Sequence, residues 1–162
     1  MRIVSNTGPI IGLAKIGKIG LLKSLAREVI IPPFVQKELF GKIGSETVHI
    51  ENALDTFMRV MPVDVSMPST ERTLADLDEG KREAVALAFA LGKDVLLLMD
   101  DYAGRQAAKS LQIHITGLVG LLVLAKQRGL VEKVGSLLEE LRNAGYWLSD
   151  EIVEIARKLA GE

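Results

Sequence analysis

Cysteine is missing from all 162 residues. Disulfides, thiolate nucleophiles and thiolate metal sites are therefore excluded. Histidine is scarce: His49 and His114 are the only two. A zinc site would need mostly carboxylates, an unfavoured donor set, whereas oxygen-ligated Mg²⁺ or Mn²⁺ stays compatible. Both histidines are read as structural or surface groups. Neither sign of charge is in excess, with 20 basic and 21 acidic residues, so bulk electrostatics do not dictate a nucleic-acid partner. No apolar run reaches the length of a membrane span, because Arg, Lys or Asp interrupts each one. The N-terminus runs straight into a strand-like MRIVS with no signal-peptide pattern, so a cytoplasmic, membrane-free protein is expected. What is plentiful is apolar surface, 48% of the residues, enough for the core of one domain over 1–162. No repeat or low-complexity tract is present.

Leu77–Asp101 carries the most information: LDEGKREAVALAFALGKDVLLLMDD. Glu83–Leu91 has a helical apolar period at Ala84, Leu87, Ala88 and Leu91. Its other positions are largely apolar too, which predicts a buried helix ended by Gly92. Val95–Met99 is an unbroken apolar run, the pattern of a strand covered on both faces. It leads directly into Asp100 and Asp101. Two adjacent carboxylates repel each other and resist burial, so a strand end has no structural need of them. In open parallel α/β sheets, ligands bind just beyond the C-terminal strand ends.

The remaining chain alternates strands and helices. Strands are expected at Arg2–Ser5, Glu28–Ile31, Met58–Val63 and Ile113–Ile115, the third near an edge because it holds Pro62. Helices are expected at Ile10–Ile16, Leu21–Leu25, Phe34–Phe40, Glu46–Phe57, Asp101–Leu111, Leu118–Lys126, Leu130–Arg142 and Ser149–Leu159, with Ser149 as an N-cap. The helices from about residue 130 onward are expected to pack on the domain. Ser66–Thr73 reads as a mobile, turn-rich segment. Strict alternation implies right-handed crossovers and a parallel sheet with helices on both faces.

Asn6, Glu38, Glu83, Asp100 and Asp101 form one candidate cluster: if the strands ending at Asn6 and at Asp100 are neighbours where strand order reverses, their ends share one crevice. Each has a plainer reading. Glu38 fits an ion pair with Lys42, Glu83 fits one with Lys81 or Arg82, and either aspartate fits an N-cap. Taken together they favour a divalent-metal site, because gathered carboxylates repel unless a hard cation is present. Such a site suits phosphodiester cleavage. Arg105, Lys109, Arg72 and Lys126 are candidates for lining a nucleic-acid groove. Tyr146 and Trp147 are read as packing or interface residues.

In order along the chain, VSNTGPIIGLAKI, IPPFVQKEL, LDEGKREAVALA, LLMDD, ITGLVG and GYWLS resemble the PIN-domain family, in a prokaryotic branch. The resemblance implies a three-layer α/β/α sandwich around a central parallel sheet. It implies an Mg²⁺- or Mn²⁺-dependent endoribonuclease acting on RNA, often the toxin partnered by an antitoxin protein, and a homodimer. It assigns Glu38, Glu83 and Asp101, with Asp100, as the catalytic acids. Thr7 and Thr116 become supporting hydroxyls. Two positions depart from the pattern. Asn6 stands where the family has its first Asp, keeping a carbonyl ligand but losing the charge. Lys81 stands where the branch often has Glu, and can reach the pocket or an RNA phosphate. Both changes weaken a site of Asn6, Glu38, Glu83 and Asp101 around a metal. The alternative is a catalytically inactive PIN-like module that binds nucleic acid or protein.

Overall fold

A computed structural model describes residues 1–162. Five parallel strands form one sheet in the order β3-β2-β1-β4-β5. They are β1 (Arg2–Ser5), β2 (Glu28–Ile31), β3 (Met58–Val60), β4 (Val95–Leu98) and β5 (His114–Thr116). Ten helices surround them: α1 (Thr7–Lys15), α2 (Gly20–Leu25), α3 (Pro33–Leu39), α4 (Thr47–Thr56), α5 (Glu71–Leu74), α6 (Glu79–Leu91), α7 (Tyr102–Ser110), α8 (Leu118–Gln127), α9 (Val134–Asn143) and α10 (Asp150–Leu159). None is long and apolar enough to cross a membrane.

The sheet separates two apolar clusters, because successive strand residues face opposite sides. Ile3, Val29, Ile31 and Leu98 join the larger one, which α1–α4 and α8–α10 complete. Val4, Ile30 and Leu97 join the smaller one, under α5, α6 and α7. This is the expected three-layer α/β/α sandwich. Val134, Leu138, Leu141, Val153 and Ala156 extend the larger cluster, so α9 and α10 share its packing.

Several boundaries shift for local reasons. α6 starts four residues before the expected Glu83, because the Asp78 carboxylate caps it by accepting the Lys81 N–H at 3.2 Å. α1 begins already at Thr7. β3 stops at Val60, two residues short of Pro62, and lies at the sheet edge. Ser66–Thr73 is not all loop: Thr70 is fully buried and Glu71 opens the helical turn α5. Ser149 caps α10 as expected, accepting the Ile152 N–H at 3.2 Å.

α9 begins at Val134 rather than Leu130, and its cap comes from far along the chain. The Glu162 carboxylate accepts the Val134 N–H at 2.6 Å and the Gly135 N–H at 3.0 Å. Burial alone would raise the Glu162 carboxyl, but those two bonds and the Lys126 ammonium outweigh it and hold it below its ordinary 4.5. A lowered acid stabilises the fold above its unfolded value, and that contribution fades as pH falls below about 4.5. Glu162→Ala should cost about 1 kcal/mol at neutral pH in urea denaturation. The deficit should narrow in acid. An equal deficit at neutral and acid pH would show that the carboxylate does not cap α9.

Candidate functional site

β1 and β4 are neighbours at the point where strand order reverses, and their C-terminal ends open onto one rim. The Asn6 N–H donates to Leu98 O at 3.0 Å, which sets the end of β1 against the end of β4. Asn6 occupies the N-cap position of α1 without its side chain capping that helix. On the other side, the Met99 N–H donates to Thr116 O at 2.9 Å and holds the end of β5 in place. The Thr116 hydroxyl donates to Gly117 O at 3.2 Å, within its own turn.

Asp100 and Asp101 leave β4 toward different helices. One Asp100 oxygen accepts the N–H of Leu118, the first residue of α8, at 2.9 Å. The other accepts the Tyr146 hydroxyl. Burial, then the Asp100 charge, pushes the Tyr146 phenol far above its ordinary value, so it stays a donor. Gly117 is required here for space. A Cβ would collide with Asp100 Oδ1 and sit 2.9 Å from the Arg105 guanidinium, so Asp100 and Arg105 both crowd this turn.

Asp101 caps α7, accepting the Gly104 N–H at 2.7 Å. Its other oxygen lies 3.1 Å from Lys81 Nζ, which also sits 2.8 Å from Asp78 Oδ2. The hydrogen bond to Asp78 leads the causes that raise Lys81 above its ordinary value, with Asp101 adding to it against the effect of burial. Burial works to raise Asp78, but the Lys81 hydrogen bonds and charge prevail and lower it.

Glu38 and Glu83 sit where α3 meets α6. The Thr7 hydroxyl donates to Glu38 Oε1 at 2.9 Å. That carboxylate lies so close to Gly80 that a Cβ there would collide with it. Glu83 Oε2 accepts the Phe34 N–H at 2.8 Å, in the first turn of α3. The plainer ion pairs expected for these glutamates do not form. Glu38 pairs with Thr7 rather than Lys42, and Arg82 turns to the carbonyls of Leu74, Ala75 and Leu77.

The first turn of α6 links the two halves: Gly80 backs Glu38, Lys81 holds Asp101 and Glu83 reaches α3. The acids therefore share a rim without meeting at a point. No three His, Asp or Glu side chains come close enough to hold a metal ion. The expected ligand set of Asn6, Glu38, Glu83 and Asp101 is not assembled. Each carboxylate already has a donor from the protein, and one faces an ammonium. As arranged, these residues do not fit a divalent ion.

Tyr146 is the rim residue that sequence reasoning missed as a partner of Asp100. The two are 46 positions apart and no local pattern connects them. Of the packing or interface role expected of its neighbour Trp147, packing within this chain does not occur, since Trp147 is 84% exposed. Lys126, a candidate for an RNA groove, instead pairs with Glu162 at 3.7 Å.

No curated protein matches this chain. The model of the DUF3368 family, a PIN domain, matches residues 2–162. PIN domains are in general nuclease-like and use divalent metal ions, which gives the acidic rim its family context. With the parallel sheet and three layers already described, a match of that length shows that the chain belongs to the PIN-domain family.

Proposed function

We propose that this chain is an RNA-directed PIN protein whose phosphodiester cleavage is held close to background by its own side chains. The observation that carries this reading is the commitment of all four rim acids to protein donors: Glu38 to Thr7, Glu83 to Phe34, Asp100 to Leu118 and Tyr146, and Asp101 to Gly104 and Lys81. Asn6 removes a further charge from the end of β1. RNA would lie along the rim. Arg105 stands beside Gly117, and a cleft of about 530 Å³ opens next to Thr7 and Glu38, with Lys15 and Lys42 in its wall. Cations in those places suit phosphate oxygens. Lys81 is less free for that task, being held by two carboxylates.

A fully active Mg²⁺- or Mn²⁺-dependent endoribonuclease is the second reading. Family membership favours it. A toxin role with an antitoxin partner and a homodimer would go with it, and both are accessible through the neighbouring gene and sedimentation.

The test separates the two. Single-stranded RNA is incubated with the protein and Mn²⁺, beside Glu38→Gln and Asp101→Asn. Both amides keep an oxygen acceptor, and Asn caps a helix as well as Asp, so folding is preserved. The expected result is RNA retention in a gel shift with cleavage near background in all three proteins. Rapid wild-type cleavage abolished by both variants would establish the active ribonuclease. Absence of any RNA shift would sink the RNA-directed reading itself.

A further inference from the structure

The rim contains a cation already, and its position accounts for the poor fit to a metal ion. We infer that the Lys81 ammonium is a built-in counter-ion that excludes divalent metal from the Asp101 half of the rim. Its Nζ lies 2.8 Å from Asp78 and 3.1 Å from Asp101, with 29% of its side chain exposed. Its backbone N–H also donates to Asp78, at 3.2 Å, so one residue grips that carboxylate twice. A positive charge in the first turn of a helix opposes the helix dipole. Lys81 is tolerated there because two carboxylates surround it.

The consequence for a metal is direct. An ion approaching Asp101 would meet an ammonium about 3 Å from the ligand oxygen, and like charges at such range repel strongly. The other Asp101 oxygen is held by the Gly104 N–H at 2.7 Å and offers no easy second contact. Removing the ammonium leaves Asp78 and Asp101 uncompensated on either side of the position it filled. Like charges left facing one another are what a divalent ion relieves.

This inference rests on the rim described above but not on RNA binding, so it is tested without RNA. Mn²⁺ is titrated into the full chain by calorimetry, and thermal unfolding is followed with and without Mn²⁺, for wild type, Lys81→Met, Lys81→Glu and Lys81→Arg. Lys81→Met and Lys81→Glu should bind Mn²⁺ at least about tenfold more tightly than wild type. Both should also gain a Mn²⁺-dependent rise in Tm. Lys81→Arg keeps the charge and should behave as wild type. Adding Asp101→Asn to Lys81→Met should abolish the gain, which locates the ion. Lys81→Met is the neutral variant that keeps the question open to decision if Lys81→Glu folds poorly. Folded Lys81→Met with wild-type Mn²⁺ affinity would overturn the inference, and so would an equal gain in Lys81→Arg.

Discussion

Asn6→Asp should raise the affinity of the rim for Mn²⁺ by about tenfold or more, and RNA cleavage should rise above background with it. The substitution places a carboxylate at the end of β1, next to the end of β4, where the resemblance to PIN domains implies a first acid. Asn6 already occupies an N-cap position, and Asp serves that position equally well, so the metal-free fold should change little in stability. The added charge faces a rim already rich in carboxylates. A hard cation is the means of relieving that crowding, and the drive to bind one grows with each acid. The effect should be larger still in Asn6→Asp combined with Lys81→Met, because one variant adds a negative charge and the other removes a positive one. Calorimetry reads the affinity, and a time course on labelled RNA reads the cleavage. No change in either, with the variant folded, would show that Asn6 does not limit the site.

Leu97→Ala and Leu98→Ala should be the most destabilising single substitutions in β4. Both side chains are fully buried, one in each apolar cluster. Truncating a buried leucine costs about 2–5 kcal/mol through lost burial and the cavity left behind. In a chain of this size each should lower Tm by about 10 °C. The residues are adjacent in sequence but contact different layers, so their costs should add within about 0.5 kcal/mol in the double variant. Urea denaturation measures all three. A cost below about 1 kcal/mol for either, or strong coupling between them, would contradict a sheet covered on both faces.

Much of the architecture is legible in the sequence, because it depends on periodicity. The run Val95–Leu98 is apolar at every position, and only a strand covered on both sides needs that pattern. Alternation of strands and helices then implies a parallel sheet, whereas the adjacency of β1 and β4, with the rim at their ends, is a condition that the structure supplies. What the local pattern does not show is long-range pairing. The cap of α9 arrives from Glu162, and the partner of Asp100 arrives from the turn before α10. Neither leaves a trace within a few residues of the group it serves.

The candidate site was legible as a set of acids and not as an arrangement. Sequence spacing brings Glu38, Glu83, Asp100 and Asp101 to one end of the sheet. It does not reveal that Glu83 is spent on the start of α3 or that Asp101 is shared between α7 and Lys81. Asp101 reads from sequence either as a plain N-cap or as a site acid; in the structure one of its oxygens caps α7 and the other faces the Lys81 ammonium. The sequence places Lys81 within reach of the pocket. Its grip on Asp78 depends on where α6 starts, four residues earlier than its apolar period indicates.

A crystal structure of the wild-type protein grown with Mn²⁺, with anomalous scattering used to locate the ion, is the most direct check. Lys81 Nζ should remain between Asp78 and Asp101, and no Mn²⁺ should be shared by three rim carboxylates. An anomalous peak held jointly by Glu38, Glu83 and Asp101, with Lys81 swung out to solvent, would contradict the account.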